Sequence, residues 1–470
     1  MLKKRTNGAA KNVFVVPFVL VVYFRLGKYW CLNGVEMMIC DNLTIGENGH
    51  LFFAGQDTVD LAKQYGTPLY LMDEDKMRSN CREYKEAMAA HFGDNSLPLY
   101  ASKACCFKRL YEIMQEEDMG IDVVSPGEIY VAVSAGFNMS NAFFHGNNKT
   151  DDDISFAMEH GVGYFVVDND EEVLAVEQEA AKRGLRQKVI LRLTPGIDPH
   201  TFAAVATGKI DSKFGNAIAT GAAEEITILA LKQKHLDVQG FHCHVGSQVF
   251  TSEVFEQAAE IMLQFIAEMK KKYAYEAKVL DLGGGYGVRY SMAEPEPVSI
   301  REKIAKVAAR IDETCAALDI AKPRIFLEPG RSIAADAGIT LYTAGTVKRI
   351  AGYKNYVSID GSMSDNPRYA LYKSVHTCLA AGKMTEKADF KCSLVGRCCE
   401  SGDIIQEDIL LPESIRRGDV IAVCTTGAYN YAMASNYNML TKPPVVMLRN
   451  GENYVAVKRE TFAQMTANFM

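Results

Sequence analysis

The chain has little of what would mark a membrane, nucleic-acid or disulfide-stapled protein. Its apolar run from Val13 to Phe24 is interrupted by Pro17 and falls short of the ~20 residues a spanning helix needs. Basic residues are not in excess: 51 Lys and Arg stand against 58 Asp and Glu, a net charge of −7. Short basic runs such as Lys270-Lys271-Lys272 read as solvated helix faces, so nucleic-acid binding has no support. The twelve cysteines lack metal-ligand spacing. Cys105-Cys106 and Cys398-Cys399 are adjacent pairs, which suit neither a zinc ribbon nor a redox CxxC. A chain of 470 residues needs no disulfides, and free thiols fit a reducing cytoplasm. No G-x-G-x-x-G follows the first β-like run, so a dinucleotide fold lacks its fingerprint. Long linkers, repeats and low-complexity tracts are also missing.

What is present is the composition of a globular protein, 48% hydrophobic and 23% charged, with length enough for two or three domains. Residues 1–37 stand apart. Lys3, Lys4 and Arg5 precede the apolar run as in a signal peptide, but no small-residue cleavage site follows. The reading favoured for this stretch is a translated leader, with ordinary domain sequence starting at Met37-Met38.

From about 97 to 330, eight β-like runs alternate with stretches of helical spacing. They are Leu97–Lys103, Gly120–Ser125, Ala142–His145, Tyr164–Asp168, Val189–Thr194, Val238–Ser247, Val279–Gly283 and Arg324–Glu328. Eight such alternations predict a parallel (β/α)8 barrel rather than an open sheet. The polar residues gather where the runs end: Lys103, Ser125, His145, Asp168, Thr194, His244, Gly283 and Glu328. That is the rim on which barrels carry their chemistry. After Arg331 the pattern changes to alternation and turns, which predicts a β domain, a sandwich or barrel, over 331–470. Residues 38–66 are expected to belong to it, with Leu51–Gly55 as a possible added strand, and the barrel is expected over 67–330.

Three constellations carry chemical meaning. Lys103, in Tyr100-Ala101-Ser102-Lys103, sits where the first run gives way to a loop; a partly desolvated lysine there can lose its proton and form a Schiff base. His242 and His244 share one side if the strand continues through both. They read as satisfied polar residues, as part of a metal site for which His145 is the only other strand-end histidine, or as an imidazole stacked on an aromatic cofactor with Ser247 reaching a phosphate. Gly283-Gly284-Gly285 and Glu328-Pro329-Gly330-Arg331 close the seventh and eighth runs, where barrels commonly bind phosphate. Arg331 can grip a phosphate or carboxylate, and Glu328 can hold a pyridine nitrogen protonated.

In order and spacing, these residues resemble the diaminopimelate decarboxylases, within the alanine-racemase-like (fold type III) pyridoxal phosphate decarboxylases, over residues 38–470. The resemblance implies that Lys103 carries the cofactor and that His244 stacks on its ring. It further implies that Ser247, Gly283, Gly284, Gly285, Gly330 and Arg331 surround the phosphate, that Glu328 faces the ring nitrogen, and that Tyr429 lies nearby. Arg331, Arg368, Tyr372, Glu400 and Tyr429 are the implied substrate contacts. Cys399 matches a cysteine that in the family crosses from the partner subunit as acid, so the resemblance implies a homodimer with shared sites. The family's second proline after Asn-Pro-Arg is here Tyr369, and residues 1–37 have no counterpart.

The implied reaction converts meso-diaminopimelate, a small amino acid, to L-lysine and CO2. Paired arginines suit its distal carboxylate. Ornithine, lysine, arginine and carboxynorspermidine are the alternative substrates within the fold. Glu328 argues against a racemase, and Lys103 with Cys399 argues against a non-catalytic regulatory homologue.

Overall fold

The computed structural model describes residues 23–26, 29–32, 35–93, 96–197 and 212–470. The expected leader lies largely outside them. Within it, Tyr23–Leu26, Tyr29–Leu32 and Val35–Met37 pair as an antiparallel three-stranded sheet. Residues 1–38 form one compact unit and 39–470 another.

The larger unit contains the expected barrel. Its strands are β1 (Leu97–Ala101), β2 (Gly120–Val123), β3 (Ala142–Phe144), β4 (Tyr164–Val167), β5 (Gln187–Thr194), β6 (Leu236–His242), β7 (Val279–Asp281) and β8 (Arg324–Leu327). Each pairs in parallel with the next, and β8 returns to β1, so the sheet closes with no free edge. The strands are apolar because both faces are covered. Leu99, Phe143, Tyr164, Val166, Ile190, Val279 and Phe326 fill the interior. Phe143 stacks on Tyr164 at 4.4 Å.

Helix starts follow local chemistry. Ser125 caps Pro126–Ser134, with proline inside the first turn where its missing N–H costs nothing. Thr150 and Asp153 form a reciprocal capping box ahead of Asp151–Glu159. Such caps keep the short loops at the rim defined, and those loops carry the site.

Beyond Ala335 the chain enters a mixed sheet. Its spine, Gly338–Arg349, pairs with Asn355–Ile359, Val420–Val423 and Leu69–Asp73. The last pairing differs from the expected boundary. Residues 69–73 lie in the β domain, since their partners are Gly338–Leu341 and Val445–Leu448 rather than a barrel strand. A buried strand whose residues are apolar from Leu69 to Met72 reads the same in either setting, and only pairing decides. Leu51–Phe53 likewise sits in its own sheet with Leu43–Ile45 and Gln56–Asp57. It touches the β domain through the Leu51 amide, which donates to Ala381 O at 2.7 Å. Tyr369, where a proline was expected, is the second residue of the short helix Arg368–Tyr372 and donates to Glu407 Oε2 at 2.5 Å, anchoring that helix to the strand Ile404–Pro412.

Candidate active site

The carboxyl ends of the barrel strands open on a cavity of about 360 Å³. Eleven predicted site residues line it: Lys103, His244, Ser247, Gly284, Gly285, Glu328, Gly330, Arg331, Arg368, Tyr372 and Tyr429. Ala101, Phe214, Tyr286 and Met433 complete the lining. Gly283, Cys399 and Glu400 do not line it. A second chamber of about 260 Å³ shares Arg331, Arg368 and Tyr372 with the first.

Lys103 follows β1 in a single 3-10 turn, which lifts its side chain into the cavity. Its Nζ lies 3.3 Å from Asp122 Oδ2 on β2. Burial lowers the affinity of this lysine for its proton, but the charges of Asp122 and then Glu328 outweigh it and push the pKa above the ordinary lysine value. With these carboxylates beside it Lys103 rests as an ammonium, so the proton it must lose to form a Schiff base has to pass to a neighbouring group. Asp122 was missed at the sequence level, although an acid inside the apolar strand Gly-Ile-Asp-Val was the signal.

Glu328 ends β8 at the floor of the cavity. Its Oε1 is 2.8 Å from His145 Nε2 and 3.3 Å from His242 Nε2. Burial raises its pKa, but His145 and His242 more than reverse this and hold it well below the usual carboxylate range. Burial lowers His242 to about 4, so that imidazole is neutral. Asp281 is pushed the other way, well above its ordinary value, by burial and then by the Glu328 charge. One fixed anion thus faces upward among groups arranged to keep it ionised. His145, His242 and Glu328 are close enough together to suggest a metal, but their shortest approaches are direct contacts with one another.

The two histidines of His242-Cys243-His244 do not act as a pair. β6 ends at His242, and the alternation ends with it. His244 turns to the glycine loop, where its Nδ1 accepts from the Gly284 amide at 3.2 Å. Burial, then Lys103, keeps it neutral. A flat neutral imidazole on the cavity wall is suited to stacking on an aromatic ring.

The glycine loop is built by close approach. A Cβ on Gly284 would lie 2.1 Å from Glu328 O, and one on Gly285, where φ is +112°, would lie 2.1 Å from Gly246 O. The Gly283 amide donates to Asp281 Oδ1 and that of Gly284 to His244. These two glycines therefore pack loops together rather than offering their amides to an anion.

Arg331 and Arg368 form the opposite wall. Arg331 donates to Ser247 Oγ at 2.8 Å and to the Tyr290 hydroxyl. Its guanidinium lies 4.6 Å from the Tyr429 ring centre, and that of Arg368 lies 4.4 Å from the Tyr372 ring. Tyr429 holds φ at +60°, pinned by its amide to Ala104 O. Both arginines are buried, and among the described residues the Nε of each has no hydrogen-bond partner. Buried donors of this kind are completed by an anion. Cavity, lysine, floor carboxylate, imidazole wall and arginine wall together fit pyridoxal phosphate. Lys103 would hold its aldehyde carbon, Glu328 its ring nitrogen, His244 its ring face, and Ser247 with Arg331 its phosphate.

Fold and site define a barrel-type pyridoxal enzyme acting on amino acids. The model of the pyridoxal-binding domain of pyridoxal-dependent decarboxylases matches residues 74–335, more than half of the chain. The diaminopimelate decarboxylase of Bacillus subtilis is 41% identical over 416 residues, covering 88% of this chain and 94% of that one. That of Staphylococcus aureus is 40% identical over 425 residues, covering 90% and 98%. The crystal structure of the M. jannaschii diaminopimelate decarboxylase in complex with L-lysine has a TM-score of 0.84 at 30% identity, covering 92% of this chain and 99% of that one. The chain belongs to the diaminopimelate decarboxylase family of pyridoxal-dependent decarboxylases.

Proposed function

We propose that this protein decarboxylates meso-2,6-diaminopimelate to L-lysine and CO2, the last step of lysine biosynthesis. The observation that carries the reading is the pair of buried arginines, Arg331 and Arg368, facing the cavity that holds Lys103 and Glu328. A substrate with a second amino-acid head supplies a distal carboxylate for them. Ornithine and lysine bring no distal carboxylate and would leave Arg368, a buried cation, unmatched, a costly arrangement.

Bound pyridoxal phosphate supplies the electron sink that decarboxylation needs. The chain's own groups orient and move protons. Asp122 Oδ2 is the nearest acceptor for the proton that Lys103 must release. Glu328 stays ionised and would hold the ring nitrogen, and Tyr372 and Tyr429 confine the arginines. Cys399, with Glu400, is assigned to the neighbouring site of a homodimer: Cys399 as the acid that returns a proton, Glu400 as the partner of the distal ammonium. Two observations support this assignment. Both residues are exposed and absent from their own chain's cavity. Exposed Leu371 and Val375 beside the cavity, and Tyr437 and Met439 flanking the residue that bonds Cys399, form apolar surface of the kind an interface covers. Among the described residues no helix is long and apolar enough to cross a membrane. We place the enzyme in the cytoplasm.

The deciding experiment incubates the purified protein and pyridoxal phosphate with meso-diaminopimelate, ornithine, lysine, arginine and carboxynorspermidine separately. Lysine and CO2 should form from the first alone at an appreciable rate. Faster release from ornithine or lysine would reassign the substrate. For the shared site, mixing inactive Lys103→Ala and Cys399→Ala proteins should restore roughly a quarter of wild-type activity after random exchange, one site in two working in half of the dimers. Demonstrated exchange without recovery would refute sharing.

A further inference from the structure

Lys303 is a buried residue whose position none of the preceding chemistry explains. It is fully buried, with 0% of its surface accessible, in the first turn of the helix Ile300–Leu318. Three costs meet there. A buried ammonium loses its hydration. The amino end of a helix repels cations. Among the described residues no carboxylate lies within ion-pair distance of its Nζ, whose partner is a backbone carbonyl, Val249 O at 3.2 Å. Burial alone lowers its pKa to about 8, with no neighbouring charge acting against it.

The carbonyl it holds is not an arbitrary one. Val249 also accepts from the Gly287 amide at 3.0 Å, and its own amide donates to Gly285 O at 2.9 Å. It therefore locks the loop carrying Ser247 to the loop carrying Gly284 and Gly285. Ser247 is two residues away, at most roughly 7 Å of chain. Gln248 between them is held at φ +65° and bonds both the N–H and C=O of Val288. Lys303 thus stands behind the loop whose Ser247 we assign to the cofactor phosphate.

We propose that Lys303 is a positioning residue for the cofactor phosphate: a buried cation whose missing counter-charge is the phosphate dianion, and whose bond to Val249 keeps Ser247 and the glycine loop in register. This deepens the functional reading above and rests on it. The test titrates apo-protein with pyridoxal phosphate and with pyridoxal, which lacks the phosphate, and reads dissociation constants. Lys303→Gln keeps a donor for Val249 but removes the charge, Lys303→Met removes both, and Lys303→Arg keeps the charge. Pyridoxal phosphate should bind about tenfold more weakly to the Gln and Met variants. Pyridoxal should bind them as it binds the wild type, and Arg should restore the phosphate preference. Equal weakening of both ligands would make Lys303 merely structural and overturn the proposal, as would unchanged affinities in Gln and Met. Should Met fail to fold, Gln and Arg still decide. Wild-type protein that binds neither ligand would instead overturn the cofactor reading itself, and the proposal with it.

Discussion

The two ends of the cavity solve the problem of buried charge in opposite ways. At the floor, Glu328, Asp122 and Asp281 are matched from within the protein, by His145, His242, Lys103 and a shifted proton. At the wall, Arg331 and Arg368 are held by a serine hydroxyl, tyrosine rings and a tyrosine hydroxyl, and among the described residues neither has a carboxylate partner. The floor is electrostatically complete and preorganised for chemistry. The wall is completed by what it binds. Catalytic rate should therefore depend on the floor and substrate choice on the wall.

Lys103→Ala breaks the comparison at its centre and has the largest expected effect. CO2 release should fall on the order of 10⁴-fold or more, because the covalent anchor and its proton are both gone. The absorption band of the bound cofactor should shift to that of free aldehyde. A normal band would assign the anchor elsewhere.

Glu328→Gln sharpens the floor side. It keeps the shape and removes the anion that His145 and His242 stabilise. The turnover number should drop on the order of 10²–10³-fold with KM little changed. A change confined to KM would mean that the floor binds rather than catalyses.

Arg368→Leu tests the wall. Loss of a charge-assisted contact should raise KM for meso-diaminopimelate by about 10–100-fold and leave the turnover number within a few-fold. Lys at this position should not rescue, since the planar fork over Tyr372 is lost. Parallel losses in both constants would erase the proposed division.

The smallest effect is on stability. Burial lowers His242 at the floor and His376 behind the wall to about 4. Unfolding raises each towards ~6.5, so the unfolded chain binds more protons between those values and stability falls as pH drops from about 6.5 to 4. Each site contributes up to about 3 kcal/mol above pH 6.5 that is lost on acidification. His376→Gln should flatten part of the fall in apo-protein melting temperature between pH 7 and 5. An unchanged slope would mean that His376 takes up a proton in the folded state.

Much of this was legible in the chain. Alternating runs gave the barrel because a strand buried on both faces is mostly apolar, and most of its polar residues fall where the strand ends. That is why Lys103 and Glu328 stood out. Residues 69–73 were misplaced because an apolar run, Leu69 to Met72, states that it is buried and not what it pairs with. Tyr290 and Lys303 were passed over for a related reason. Each looks ordinary beside its sequence neighbours, and its meaning comes from a residue far along the chain.

What the sequence by itself determined is therefore local: which segments are strands or helices, where caps and tight turns fall, and which residue types reach the rim. Hydrogen bonding within a few residues and the periodicity of burial are enough for that. Only the tertiary structure decided which way the charges lean. Lys103 is protonated because Asp122 lies on the next strand, Glu328 is ionised because β3 and β6 bring it two imidazoles, and Arg331 is aimed by Tyr290. Electrostatic energy in a buried site depends on distance and desolvation, and both are set when the barrel closes.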